Sequence, residues 1–174
     1  MTVFVALLRA VNVGGTGKLP MADLRAIAER QGFRDVATYI QSGNLVFRTE
    51  LTRQEAQARL EEALAAHFGR SADVFLRTAE ELQSLSGRIP FADAAPNQVL
   101  ITFLPEEASA DALEHMIAPD GEQAAVLGSE IAVHFPNGMG RSKLKLPAVK
   151  PGTARNLNTV HKLLEMARQL EGAA

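Results

Sequence analysis

The order in which apolar runs and helical repeats follow one another in residues 1–86 is the feature that most constrains the fold. A continuously apolar run at residues 3–8 is typical of a strand covered on both faces. Thr52 and Glu55 form a capping-box pattern, which predicts the start of a helix. The predicted elements are a strand at 3–8, a helix at 20–32, strands at 36–40 and 45–47, a helix at 52–69, a strand at 72–76 and a short helix after Thr78. The order β-α-β-β-α-β is that of a ferredoxin-like unit.

Residues 87–174 repeat this order only in part. The segment 87–97 is rich in proline and turn formers and predicts a boundary, so we expect two regions, 1–86 and 87–174. The elements predicted after it are a strand at 98–104, a helix at 109–117, strands near 122–127 and 130–135, and a last helix that carries Val160 and Leu163. We therefore predict an α+β protein of two ferredoxin-like halves with mixed or antiparallel sheets, and a possible duplication.

The composition excludes several kinds of chemistry. The chain has no cysteine, so disulfides, cysteine-ligated zinc and thiol catalysis are excluded. Its four histidines are too far apart in sequence for the i, i+4 pair of a zinc-binding helix, and we predict no metal site. No stretch approaches the roughly 20 apolar residues of a membrane span, and the N-terminal run lacks the basic leader of a signal peptide. We expect a cytoplasmic protein with no membrane partner, and no acid–base constellation for catalysis is identifiable.

The cations of this chain are concentrated towards its end. Residues 131–164 contain six Lys or Arg and no Asp or Glu, whereas the other 140 residues carry 12 Lys or Arg against 20 acids, a net −8. A basic segment on an acidic protein, whose total charge is −2, is typical of a surface that meets phosphate, nucleotide or nucleic acid. The alternative is a solvated basic loop that balances an acidic surface elsewhere.

Four stretches carry a resemblance to a known family. They are "ALLRAVNVGG", "YIQSGNLVF", "NGMGRSKL" and "ARNLNTVHKLLE", and they extend from the first predicted strand to the last helix. In combination they resemble a bacterial family known as the domain of unknown function number 1697. The resemblance implies an α+β fold with ferredoxin-like halves, and it implies no established activity, substrate or catalytic residue. Family members often carry Trp at the position of Leu157, so this chain lacks an aromatic stacking platform there.

The glycine-rich segment 12–18 can be compared with a Walker A phosphate-binding loop. Aligning Gly17 and Lys18 with the Gly-Lys of that motif places Asn12 at its first Gly and Leu19 at its Ser/Thr, so both key positions differ. What remains is a lysine before a helix start, where N–H groups and the helix dipole favour anions. The alternative is a plain connection that uses glycines for its turns.

Two amides flank a predicted hairpin turn. Gln41 and Asn44 stand on either side of Ser42-Gly43, between two apolar runs. In one interpretation the segment is a turn and nothing more. In the other, the two amides orient a polar ligand beside the first strand.

The segments "GRSK" and "ARNLNT" are the strongest candidates for a binding site. Arg141 and Arg155 can donate parallel hydrogen bonds to a phosphate or carboxylate, and Lys143 adds a point charge. Asn156 or Asn158 can cap the last helix while the other faces a ligand. We expect Asn158 to be the cap, and we expect Arg155 to be an exposed cation whose loss changes stability little.

We predict that these segments form one anion-binding site built from both halves. The predicted ligand-binding residues are Arg9, Asn12, Lys18, Gln41, Ser42, Asn44, Arg141, Ser142, Lys143, Arg155, Asn156 and Asn158. The expected partner is an anionic small molecule, a nucleotide or a phosphorylated metabolite, and no cofactor is expected. Nucleic acid is one alternative, because ferredoxin-like sheets can stack bases, although only Tyr39 lies near the candidate segments. A module whose basic loop meets an acidic protein is the other.

Overall fold

The computed structural model describes residues 1–9, 19–39 and 43–173. These residues contain eight strands and four α-helices. The strands are β1 (Thr2–Leu8), β2 (Arg34–Thr38), β3 (Asn44–Thr49), β4 (Val74–Arg77), β5 (Val99–Phe103), β6 (Gln123–Val126), β7 (Glu130–His134) and β8 (Thr153–Asn156). The helices are α1 (Met21–Arg30), α2 (Arg53–Phe68), α3 (Ala79–Arg88) and α4 (Leu157–Gly172).

The strands form two sheets of the same topology. The first sheet has the order β2-β3-β1-β4, and the second has the order β6-β7-β5-β8. Every neighbouring pair is antiparallel, so β1 and β5 hold equivalent central places. The predicted α+β class with two similar halves is confirmed, and both sheets are antiparallel rather than mixed.

The first half folds in the predicted order β-α-β-β-α-β because its local signals are strong. Six of the seven residues of β1 are buried, as a continuously apolar central strand requires. The predicted capping box is present at α2: the Glu55 N–H donates to Thr52 Oγ1 at 3.2 Å, and the Thr52 N–H donates to the Glu55 carboxylate at 2.9 Å. The core under both helices includes the stacked rings of Phe33 and Phe47, whose centroids are 4.2 Å apart.

The helix α3 begins at the predicted cap. The Glu81 N–H donates to Thr78 Oγ1 at 3.2 Å. The Glu81 carboxylate also accepts from Arg53 at the start of α2, with 3.0 Å between Arg53 Nη1 and Glu81 Oε2. The start of α3 is therefore fixed both by its own cap and by an ion pair to α2.

The predicted helix at 109–117 is wrong. Residues 110–115 form successive turns, in which backbone hydrogen bonds reach back three residues, as from the Ala112 N–H to the Ser109 carbonyl at 3.1 Å. Pro105 and Pro119 bound the segment, so a helix here has no room to lengthen. Helices shorter than about 12 residues are marginal unless packing supports them. The connection from β5 to β6 is accordingly made of turns.

The structure contains a strand, β8, where the sequence predicts the end of a loop and the start of a helix. β8 pairs antiparallel with β5, with Arg155 opposite Ile101. It is four residues long, lies at an edge of the sheet and carries polar side chains, so it lacks the apolar pattern that marks the other strands. The predicted last helix is confirmed and begins directly after β8, at Leu157.

The chain divides into two compact units. The first unit comprises Met1–Leu82 and Leu163–Ala174, and the second unit comprises Gln83–Lys162. The boundary that the sequence predicts, between residues 86 and 87, falls within α3, and so does the junction between the two units at residues 82 and 83. Within the described ranges, no helix is long and apolar enough to cross a membrane.

Candidate functional site

The cationic segment, which we define as residues 135–152, connects β7 to β8 in the second unit. In the first unit the equivalent connection, from β3 to β4, is made by α2. Leu144 and Leu146 of the cationic segment pack against the core of the second unit, whereas Lys143 and Lys145 are exposed. This alternation is typical of an extended segment with one face on a core and the other in water. Packing of the cationic segment against the core therefore explains why its leucines and lysines alternate, without any ligand.

Backbone pairing fixes the middle of the cationic segment. The Ile117 N–H donates to the Lys145 carbonyl at 2.8 Å, and the Lys145 N–H donates to the Ile117 carbonyl at 2.9 Å. These two bonds join the cationic segment to the turns that precede β6. The exposed side chains around Lys145 consequently project from a backbone that is held in place.

A cavity of about 380 Å³ opens beside the cationic segment within the second unit. Its polar and charged lining residues are Asp120, Glu122, Asn137, Arg141 and Ser142. The volume lies within the roughly 300–1,000 Å³ that is typical of small-molecule sites. The structure thus brings two predicted ligand-binding residues, Arg141 and Ser142, to one cavity, and the exposed Lys143 follows them in the chain.

Glu122 is a residue of this cavity that sequence reasoning missed. It is 5% exposed, and its carboxylate accepts hydrogen bonds from Ser142 Oγ at 2.7 Å and from the Asp120 N–H at 2.9 Å. Burial raises the pKa of this carboxyl, but the hydrogen bonds from Ser142 and from backbone N–H groups outweigh burial and leave the pKa below its ordinary value. Glu122 is therefore ionised at neutral pH. It lies 20 residues before Ser142, outside the acid-free stretch, so charge along the sequence gave no sign of it.

The expectation that Arg155 is an exposed cation is wrong. Arg155 is 7% exposed, and its Nη1 donates to Thr153 Oγ1 at 2.7 Å and to the Ala154 carbonyl at 2.9 Å. Burial lowers the pKa of Arg155 to about 10, so the guanidinium stays protonated at neutral pH. These bonds to its own strand give Arg155 a structural role in β8.

The cap of α4 is Asn156 and not Asn158. Asn156 Oδ1 accepts a hydrogen bond from the Thr159 N–H at 2.9 Å, which is the geometry of an N-cap residue bonded three positions ahead. Asn158 lies in the first turn of α4 and is exposed. The end of β8 and the start of α4 are thus joined at one capping residue.

We expect Asn156→Ala to lower the free energy of unfolding by about 1 kcal/mol, because the Thr159 N–H loses its acceptor at the helix start. The melting temperature, followed by circular dichroism, should fall by about 2–4 °C. Asn158→Ala is the matched control and should change stability by less than about 0.5 kcal/mol. Equal losses from both substitutions would contradict the assignment of the cap.

Two predicted site residues of the first unit are described, and each has a partner. Arg9 Nη1 lies 3.3 Å from Asp73 Oδ2. Asn44 is fully buried, and its Nδ2 donates to the Tyr39 carbonyl at 3.0 Å, so this amide holds the hairpin between β2 and β3. The predicted residues that lie outside the described residues are Asn12, Lys18, Gln41 and Ser42. Their part in a binding site stays a prediction.

Ser86 and His161 are 75 residues apart in the chain, and they form a hydrogen bond that the sequence does not predict. Ser86 Oγ lies 3.1 Å from His161 Nε2, within the second unit. A serine bonded to a histidine is one part of a nucleophile–base arrangement, which also needs a group that orients the histidine. In the described chain no carboxylate is hydrogen-bonded to His161, and this residue is exposed. The pair therefore joins α3 to α4 without the geometry of a catalytic triad.

Metal binding has no support in the part of the chain that the structure describes. No group of three or more His, Asp or Glu side chains is arranged there to hold a metal ion. We take the cavity of the second unit as the candidate site, because an arginine from a predicted segment and a buried carboxylate are among its lining residues.

Comparison with known proteins identifies the family and the fold. No curated protein matches the chain. Among solved structures, the chain is similar to the conserved bacterial protein SP0830 from Streptococcus pneumoniae, with 24% sequence identity and a TM-score of 0.78 over 95% of this chain and 98% of that chain. Residues 1–131 match the family described as "Protein of unknown function (DUF1697)", a range that includes the first two stretches of the resemblance and ends before the cationic segment. The chain thus belongs to this family of proteins of unknown function.

Proposed function

We propose that the protein binds a small anionic ligand, a nucleotide or a phosphorylated metabolite, in the cavity of the second unit. The observation that carries the proposal is that the exposed Arg141 lines a cavity of about 380 Å³. A guanidinium at a concave site can donate two parallel hydrogen bonds to a phosphate or carboxylate. Lys143, exposed and two residues further on, adds a second positive charge.

Within the part of the chain that the structure describes, neither of these two cations has a partner carboxylate. Among the described residues, the ion pairs with Asp73, Glu29, Asp35, Glu81 and Glu171 are made by other arginines, and no carboxylate lies within ion-pair distance of Arg141 or Lys143. Arg155 differs, because its guanidinium is bonded within β8. Arg141 and Lys143 therefore keep their hydrogen-bond donors for a ligand.

The proposed site contains fewer ligand-binding residues than the sequence predicts. Arg155 and Asn156 are left out because their polar groups hold β8 and the start of α4. Ser142 lines the cavity, but its hydroxyl donates to Glu122, so we assign it to the wall of the cavity rather than to direct recognition of an anion. The contributions of Asn158 and of the first half stay predictions.

We expect Arg141→Gln to weaken anion binding about 10- to 100-fold, because a hydrogen bond to a charged group contributes roughly 1.5–3 kcal/mol. Isothermal titration calorimetry with inorganic pyrophosphate, AMP and ATP measures this change. Arg30→Gln is the matched control, since Arg30 is an exposed cation on α1 and its replacement changes the net charge equally. Binding by this control should equal that of the unmodified protein.

Two results would contradict the proposal. One is that none of the three probes binds at low salt. The other is that Arg30→Gln weakens binding as much as Arg141→Gln, which indicates a general charge effect. Single- and double-stranded oligonucleotides test the nucleic-acid alternative, for which log affinity should fall with log salt by about 0.9 per phosphate contacted on duplex DNA.

A further inference from the structure

The cavity of the second unit contains charges of both signs. Arg141 lines it together with Glu122, which is 5% exposed and ionised. Asp120, another acid, also contributes to the lining. A ligand with only negative charge would gain hydrogen bonds from Arg141 but would be repelled by the carboxylate of Glu122.

The Glu122 carboxylate still has capacity to accept hydrogen bonds. Its Oε1 accepts from Ser142 Oγ, and its Oε2 accepts from the Asp120 N–H. The backbone N–H of Glu122 itself is a third donor. An ionised carboxylate has about four acceptor positions on its two oxygens, so about one remains. Because Ser142 and the Asp120 backbone hold both oxygens in place, the remaining position is oriented before a ligand arrives.

We infer that the ligand of this cavity carries an ammonium or another N–H donor group as well as an anionic group, so that Glu122 accepts from the first while Arg141 donates to the second. This inference rests on the proposed function and narrows it from anions in general to compounds with both kinds of group. Contacts to both Glu122 and Arg141 also make the cavity selective. An anion that lacks an N–H donor would leave the buried Glu122 carboxylate without a donor from the ligand and close to the negative charge of that anion.

Two probes that differ in one group test the inference. O-phosphoethanolamine and ethyl phosphate share a phosphate, and only the first has an ammonium group. Titration followed by ¹H–¹⁵N NMR spectra measures weak binding of both. We expect O-phosphoethanolamine to bind about 5- to 20-fold more tightly than ethyl phosphate, because only the first gains an ammonium–carboxylate contact.

The variants Glu122→Gln and Arg141→Gln test which residue contacts which group of the ligand. Glu122→Gln should remove the preference for O-phosphoethanolamine, and Arg141→Gln should weaken both probes by a similar factor. Equal binding of the two probes by the unmodified protein, or tighter binding of ethyl phosphate, overturns the inference and leaves the proposed function standing. If neither probe binds, the inference is overturned, and titration with pyrophosphate, AMP and ATP then decides the proposed function separately. The comparison in the unmodified protein needs no substitution, so the test holds even if Glu122→Gln fails to fold.

Discussion

Arg155→Ala is expected to lower the free energy of unfolding by roughly 2–4 kcal/mol, more than the replacement of any exposed cation in the second unit. The substitution removes a side chain that is 7% exposed, together with its hydrogen bonds, which include those to Thr153 Oγ1 and to the Ala154 carbonyl. At about 2–4 °C per kcal/mol for a chain of this size, thermal melts should show a fall of about 4–16 °C.

Lys145→Ala is the matched control for this prediction. Lys145 is an exposed cation of the same unit, so its replacement changes the net charge equally but removes no buried side chain. Its effect should stay within about 0.5 kcal/mol. Arg155→Met should recover part of the loss, because it fills the same space without a buried charge. If Arg155→Ala changes the melting temperature no more than Lys145→Ala does, Arg155 has no structural role.

Gly152→Ala is expected to destabilise the protein by about 3 kcal/mol, because the backbone of the cationic segment approaches β5 too closely for a side chain. A Cβ at Gly152 would lie 2.5 Å from the Phe103 carbonyl oxygen and 2.6 Å from Thr102 Cγ2. β5 is held between β7 and β8, so its carbonyl cannot move away without breaking ladder hydrogen bonds.

Urea denaturation measures this loss as a lower midpoint at an unchanged slope. Gly140→Ala is the control, since a Cβ at Gly140 would meet nothing within 4 Å. We expect the control to leave the midpoint unchanged within error. A Gly152→Ala midpoint equal to that of the control would show that the segment can shift away from β5.

The first half could be predicted from the sequence because each of its elements has an independent local signal. The apolar run of β1 and the capping box of α2 specify their own conformations, and the structure contains both. The second half departs from its pattern in two places, one because of flanking prolines and one because of a tertiary contact. The segment 109–117 has the composition of a helix but lies between two prolines, and β8 is strand only because β5 pairs with it. Neither effect is visible in a window of ten residues.

The candidate site could be predicted in part. Arg141 and Lys143 stand out in the sequence because they are cations without nearby acids, and Arg141 lines the cavity. Glu122 could not be found that way, because the turns before β6 bring it to the cavity from 20 residues away. Arg155 looked equivalent to Arg141 in the sequence, and only the pairing of β8 with β5 shows that it is buried. A cluster of cations in the sequence therefore predicts a basic surface, but strand pairing determines which of these cations are exposed to solvent.

The most direct test of anion binding in the second unit is a crystal soaked in tungstate, a heavy mimic of phosphate whose anomalous signal locates it. Binding is predicted in the cavity of about 380 Å³, with oxygens of tungstate within hydrogen-bond distance of Arg141 and with Lys143 nearby. Crystals of Arg141→Gln should lack this peak and keep any others. Tungstate found only elsewhere on the protein, with the cavity unoccupied at saturating concentration, would contradict the account.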